Sequence, residues 1–246
     1  MRVLLTGSQG TVGGAFRRIA AGRGIEVHPW NRAEVPPDEP SAVDAYLKRM
    51  RPDAVLHLAM GAPGWAAQMA EYSAEERIPF VFTSTVSVFA APGPHGFTSE
   101  RTATDEYGRY KADCEDAVSK ASTEAVVVRL GYQIDPHGPG NNLAQHLREQ
   151  AASGVIKASA GWSPATSILS DTVNVLLDLL SNPRPGLHHL DANSSDAWTY
   201  PEIVAAIGQM LGERWGIETT NDRVHDQRLL NSLPVPALSA TLPLRR

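Results

Sequence analysis

The first residues with types and spacing suited to chemistry lie near the start of the chain, in VLLTGSQGTVGGAF. Gly7, Gly10 and Gly13 recur there at three-residue intervals. In a tight strand-to-helix connection each has a physical task. Gly7 permits the turn, Gly10 lets the backbone approach a pyrophosphate, and Gly13 lets the helix pack closely on the strand. A helix that begins at this point also aims unpaired N–H groups and a partial positive charge at a phosphate. Glycines alone would suit any strand-to-helix turn. Here an apolar strand precedes them and a helix follows, so a bound nucleotide is the expectation.

A second group lies in EYGRYKADCE, where Tyr107 and Lys111 are four residues apart. On a helix both side chains leave the same face, one turn apart. A free phenol, with a pKa near ~10, exchanges protons poorly at neutral pH. A fixed cation beside it is expected to favour the phenolate and lower that value. The pair could then trade a proton with an alcohol or ketone. Taken alone, such a pair is most often an ordinary surface pair. Tyr110 is a competing aromatic, with no lysine four residues on. Upstream, FTSTVSVFA places the hydroxyls of Ser84 and Thr85 at the end of an expected strand. Sites of open α/β sheets lie at the carboxyl ends of strands. Thr85 and Tyr107 are therefore expected to converge on one crevice, with sheet-end capping as the alternative role for the hydroxyls.

The stretch VHPWNRAE holds the position where a dinucleotide site commonly carries an acid for the ribose hydroxyls. Trp30 or Asn31 stands there, and Arg32 follows. An arginine can pair with a 2′-phosphate that an acid would repel. NADP(H) is thus favoured over NAD(H), the alternative being an exposed arginine without a ligand.

Positioning these groups requires alternating strands and helices. Apolar runs at 3–5, 25–27, 54–58, 80–83 and 125–130 read as strands, and 11–20, 42–50, 65–77 and 107–120 as helices. Strands apolar on both faces and separated by helices imply an α/β fold, a doubly wound parallel sheet of Rossmann type. Beyond Gly131 the pattern loosens. Helices are expected at 142–152, 171–180 and 200–211, and short strands near 155–157 and 187–190. The expected division is an NAD(P)-binding Rossmann domain over 1–135 and a smaller C-terminal substrate-binding lobe over 136–246, interleaved with the sheet. Pro234, Pro236 and Pro243 make the tail from Asn231 an expected extended strap.

The 246 residues carry a net charge of −5 and no basic stripe, which argues against nucleic acid as a partner. Cys114 is the single cysteine, so no intrachain disulfide can form. No apolar run reaches the length of a membrane span, and the apolar start is too short for a signal peptide. The expected location is the cytoplasm, without a membrane partner. The histidines lack metal-ligand spacing, so no metal site is expected. Trp162 and Trp198 are candidate walls of a sugar pocket, with core packing the favoured role.

In order along the chain, TGSQGTVG, HLA at 57–59, STVSVF, YGRYK and RLGYQIDP resemble the signatures of the extended short-chain dehydrogenase/reductases. Within them the chain is most similar to dTDP-4-dehydrorhamnose reductase and related sugar-nucleotide reductases. GNN at 140–142, SPATS at 163–167 and the segment 186–207 extend the likeness to about residue 211. The resemblance implies that Gly7, Gly10 and Gly13 meet the pyrophosphate, with Gln9, Thr11 and Val12 in the same turn. It implies that Leu58 and Ala59 line the adenosine side, and that Thr85 hydrogen-bonds the substrate oxygen. Tyr107 would be the general acid, and Lys111 would hold the ribose and lower the phenol pKa. Gly131 and Tyr132, in the stretch through Gln133, would close over the nicotinamide, and Asn142 would meet substrate; Trp162, from the candidate walls above, is the further candidate substrate contact.

The implied activity is NADP(H)-dependent reduction of a keto group on a nucleotide-linked deoxysugar. The alternatives are an epimerase or dehydratase of the same superfamily, or a cofactor-binding regulatory subunit with little catalysis. One departure stands out. Only 23 residues separate Ala59 from Thr83, enough for a short helix and without the family's asparagine. That removes part of the usual helix-pair dimer surface, so a monomer or a non-standard homodimer is expected.

Overall fold

The computed structural model describes residues 1–136, 138, 140–231 and 233–243. Strands and helices alternate through β1 (Arg2–Thr6), α1 (Thr11–Ala21), β2 (Glu26–Pro29), α2 (Pro40–Met50), β3 (Ala54–His57), α3 (Pro63–Glu75), β4 (Phe80–Thr85), α4 (Glu106–Ala121) and β5 (Val126–Leu130). The chain continues through β6 (Tyr132–Ile134), α5 (Leu143–Ala152), β7 (Ile156–Ser159), β8 (Trp162–Pro164), β9 (Thr166–Ile168), α6 (Leu169–Ser181), β10 (Gly186–Leu190), α7 (Tyr200–Leu211), β11 (Ile217–Thr220), β12 (His225–Gln227) and α8 (Leu238–Thr241).

Six strands form one parallel sheet in the order β10-β5-β4-β3-β1-β2. This is the doubly wound Rossmann-type sheet that the pattern of apolar runs implies. Its faces follow from the two-residue period of a strand. Val3, Leu5, Ala54, Leu56, Val81, Val126 and Val128 pack on one side with Phe16 of α1 and Leu176 of α6. Leu4, Val55, Phe80, Phe82 and Val127 pack on the other with Leu47 of α2, Met69 of α3 and Val118 of α4. From β1 the chain steps outward to β2, then returns to lay β3 on the other side of β1. The ends of β1 and β3 therefore flank a topological switch point, where crevices for ligands open in such sheets.

Beyond β5 the structure is more broken than the apolar pattern suggests. Three parallel two-stranded sheets, β6–β9, β7–β11 and β8–β12, surround α5 and α7. Most of these strands are three residues long, too short for a period to show. Ile134, Leu147, Ile156, Trp198, Ile203 and Ile207 form a separate core among them. Between these pieces α6 and β10 return to the large sheet, β10 lying beside β5. The proline-bearing tail is less of a surface strap than expected. Leu233 is buried with the α1–α6 face, and Leu238 and Leu242, at α8, are buried in the C-terminal core. No helix among the described residues is long and apolar enough to cross a membrane.

Candidate active site

The glycine turn joins β1 to α1 as its spacing requires. Gly7 has φ +70°, and the Gly10 N–H donates to the Gly7 carbonyl oxygen at 3.1 Å. A Cβ on Gly13 would stand 2.2 Å from that same oxygen, so only glycine lets α1 approach the turn. A Cβ on Gly7 would meet the backbone of Leu58 and Ala59 at about 3 Å. Thr6 locks the neighbouring strand end, its Oγ1 accepting from the Leu58 and Ala59 N–H groups at 3.0 and 3.1 Å. The N-terminus of α1 has no side-chain cap and no acid in its first turn. Its unpaired N–H groups are left for an anion.

A cavity of about 250 Å³ opens above this turn, lined by Gly7, Gly10, Thr11, Val12, Gly13 and Leu58 on one side and by Thr85, Tyr107 and Lys111 on the other. A glycine cradle that a single Cβ would fill, beside an uncapped helix end, fits a dinucleotide pyrophosphate. Gln9 is exposed and Ala59 is packed into the core behind the turn; neither lines the cavity.

The base-side residues fall outside it. Trp30 turns into the core and donates its indole N–H to the Val35 carbonyl at 3.0 Å. Asn31 is exposed and donates to Glu34 Oε1 at 2.7 Å. The structure thus brings an acid beside this position from three residues further on. Arg32 reaches across to the Met60 carbonyl, with its guanidinium 5.3 Å from the Trp65 ring centre.

Tyr107 and Thr85 meet because α4 starts against the end of β4. The strand runs two residues past its expected end and finishes on Thr85, followed by a 3-10 turn at Val86–Val88. Asp105 caps α4, its Oδ1 accepting from the Gly108 N–H at 2.7 Å. A Cβ on Gly108 would lie 2.2 Å from the Ser87 carbonyl oxygen, so this glycine sets how closely the helix approaches. Further along α4, Glu115 holds Arg129 of β5 through a buried bidentate pair, at 2.8 and 2.6 Å. These anchors were not read from the sequence. Glu115 was visible as an acid four residues after Lys111, and Asp105 as a cap residue before a helix.

The hydroxyl of Thr85 stands with the Tyr107 phenol in the shared lining of the crevice and donates to the Ser87 Oγ at 3.3 Å. It also accepts from the Ser87 N–H at 3.1 Å. Lys111 departs from its expected electrostatic role. Its ammonium donates to the Thr83 carbonyl at 2.9 Å, deep under the crevice, and lies 4.7 Å from the Phe82 ring centre. Burial pushes its pKa down to about 8. The Tyr107 phenol is pushed above its ordinary value. Partial desolvation of a residue still 42% exposed is the main cause; the neighbouring Thr85 hydroxyl opposes it, and the Asp105 carboxylate adds to it. The phenol therefore stays protonated at neutral pH, as a proton donor. Tyr110 has a separate task, its hydroxyl accepting from the Gly61 N–H at 2.9 Å.

A second cavity, of about 580 Å³, adjoins the first. Thr85, Tyr107, Gly131, Gln133 and Asn141 line both. Its outer walls are Tyr132, Trp162 and Tyr200, with His146 and Lys157 at the polar end. Tyr132 and Trp162 meet edge to face at 5.5 Å, and Trp162 lies 4.5 Å from Tyr200. Trp162 thus serves core and cavity together, whereas Trp198 is wholly in the core. Asn142 lines the cavity, but its amide is engaged locally. It caps α5 through the Gln145 N–H at 3.1 Å and donates to the Gly138 carbonyl at 3.1 Å. Its neighbour Asn141 is exposed and faces both cavities. Among the described residues no cluster of His, Cys, Asp or Glu could hold a metal ion.

Solved structures share this fold. The NADP complex of dTDP-4-dehydrorhamnose reductase from Bacillus anthracis matches with a TM-score of 0.81 at 16% identity, over 97% of this chain and 96% of that one. The dTDP-4-dehydrorhamnose reductase of Clostridium acetobutylicum matches with a TM-score of 0.76 at 18% identity, over 89% and 84%. The NAD complex of UDP-glucose 4-epimerase from Thermus thermophilus matches with a TM-score of 0.69 at 18% identity, over 94% and 90%. No curated protein sequence matches the chain. The sequence model of the RmlD substrate binding domain matches residues 1–62 and 64–210, spanning the glycine turn, the Thr85–Tyr107–Lys111 crevice and the aromatic cavity. The chain accordingly belongs to the RmlD substrate binding domain family, within the extended short-chain dehydrogenase/reductases that its motifs resemble.

Proposed function

We propose that this protein is an NADP(H)-dependent reductase of a keto group on a nucleotide-linked deoxysugar. The observation that carries the reading is the meeting of two cavities at Thr85 and Tyr107. The smaller one has the glycine cradle for a dinucleotide. The larger one has aromatic walls suited to a sugar and a cationic side chain, Lys157, suited to a diphosphate. A similar fold holds NADP in the Bacillus anthracis reductase.

When bound, the cofactor supplies a hydride to the carbonyl carbon. The chain's own residues do the rest. Thr85 and Tyr107 hold the substrate oxygen, and the Tyr107 O–H gives it the proton that completes the alcohol. Lys111 spends one N–H on the Thr83 carbonyl and keeps two for the ribose hydroxyls of the cofactor. Tyr132, Trp162 and Tyr200 flank the sugar and exclude water from the junction.

The test is turnover of dTDP-linked 4-keto deoxysugars, followed by loss of NADPH absorbance. Tyr107→Phe removes the proton donor and is expected to lower turnover by roughly 100- to 10,000-fold while NADPH still binds. Tight NADPH binding with no turnover across a panel of keto sugar nucleotides would reject the reductase reading in favour of a regulatory, cofactor-binding role.

A further inference from the structure

We propose that Gln133 recognises the carboxamide of the nicotinamide, amide paired with amide. The inference rests on the reading above, that a nicotinamide cofactor occupies the smaller cavity. Gln133 lies on β6 and is only 9% exposed, yet it lines both cavities. Its Nε2 donates to the Gly131 carbonyl at 3.1 Å. Its Oε1 is buried without a hydrogen-bond partner among the described residues. A buried acceptor left unmatched is costly, and an apolar side chain would fill the same space without that cost. An amide kept at such a position points to a ligand that completes it.

The backbone beneath Gln133 is held rigidly. A Cβ on Gly131 would lie 2.2 Å from the Ala165 carbonyl oxygen, and the Tyr132 N–H donates to that oxygen at 2.8 Å. Gln133 pairs with Ser167 in the β6–β9 ladder. The amide is therefore presented from a fixed strand rather than a loose loop.

Chemistry places the carboxamide near it. A carbonyl held by Thr85 and Tyr107 must face the ring carbon that carries the hydride. The carboxamide sits on the adjacent ring carbon, so it falls close to the junction that Gln133 lines. A carboxamide offers N–H donors and one carbonyl acceptor, the complement of a glutamine side chain. Its N–H meets the open Oε1, and its carbonyl accepts the second Nε2 hydrogen. The paired amides fix the rotation of the ring, and with it the face that offers hydride to the larger cavity.

Affinities of three probes test this: NADPH, its acetylpyridine analogue, in which a methyl group replaces the carboxamide nitrogen, and 2′-phospho-ADP-ribose, which lacks the ring. Gln133→Met is expected to weaken NADPH about five- to a hundredfold, the size of two buried neutral hydrogen bonds, and to leave 2′-phospho-ADP-ribose unchanged. Wild type should bind the analogue more weakly than NADPH, because the carbonyl bond to Nε2 is kept and the N–H bond to Oε1 is lost, and the variant should bind the two alike. An equal loss for all three probes would overturn the proposal. So would a wild type that does not distinguish NADPH from the analogue, a comparison that needs no variant. Failure of wild type to bind NADPH at all would instead overturn the functional reading itself.

Discussion

Lys111 donates its ammonium to the carbonyl oxygen of Thr83 at 2.9 Å, beneath the crevice that Tyr107 lines. The cation is thus fixed by the carbonyl of a core strand, and its burial holds its pKa at about 8 against an ordinary 10.5. Below about 8 both the folded and the unfolded chain keep this proton. Between about 8 and 10.5 the unfolded chain binds more of it, so the Lys111 contribution makes stability rise with pH. Denaturant unfolding of wild type and Lys111→Met across this window is expected to show wild type gaining on the variant as pH increases. A pH-independent difference would show that the ammonium is not confined as the structure has it.

The glycine turn makes a matched pair of expectations. Gly13→Ala drives a Cβ to 2.2 Å from the Gly7 carbonyl, a backbone atom that cannot give way. The expected loss is more than about 2 kcal/mol of stability, with NADPH binding lost too. One residue on, a Cβ at Gly14 meets nothing nearer than the tip of Arg18, at 3.9 Å. Gly14→Ala should stabilise α1 by about 0.5–1 kcal/mol, because alanine gives up less backbone freedom in a helix. Thermal unfolding of both variants decides the matter, and similar outcomes for the two would contradict the close approach of α1 to the turn.

Cofactor preference turns on Arg32 and Glu34. Arg32 is held at the rim by the Met60 carbonyl and Trp65, and Glu34 is held by Asn31. Arg32→Ala is expected to weaken NADPH about tenfold or more with little change for NADH, since a charge-assisted bond to phosphate is lost. Glu34→Gln should shift the ratio the other way, by removing a repelling carboxylate. Calorimetric titration with both cofactors is the measurement; an unchanged ratio in Arg32→Ala would remove Arg32 from phosphate recognition.

Assembly is the fourth expectation. The segment between Ala59 and Thr83 holds a thirteen-residue helix, α3, packed on α4, so what the short spacing removes is loop rather than helix. The outer surface of the pair exposes Glu71, Glu75, Glu106, Asp113 and Asp116, with Arg109 and Lys120 as the opposing charges. Val118 and Cys114 face the core. A stable homodimer seam is usually more apolar than this. Light scattering at micromolar concentration is expected to report a monomer, or a dimer built on another surface. A dimer that dissociates on a charge reversal in α4, such as Asp113→Lys, would reject this reading.

Much of the sheet was legible because its strands are apolar on both faces and its helices are long enough to show their period. The glycine spacing marked the turn, and Thr85, Tyr107 and Lys111 could be picked out by type and order. The small C-terminal strands could not, since three residues carry no periodicity. Nor could the engagement of Asn142 as a helix cap, which depends on where α5 begins.

The sequence by itself determined the local features: the β1 turn that only glycines allow, the buried parallel strands, and a tyrosine and a lysine on one helical face. Tertiary structure alone decided how these features act on one another. It turned Lys111 toward a strand carbonyl, raised rather than lowered the phenol pKa, set Glu34 beside Asn31, and buried one amide oxygen of Gln133 without a partner among the described residues. The physical reason is that hydrogen bonding, desolvation and charge act through distance in space, and residues brought together by crossovers carry no record of that distance in their spacing along the chain.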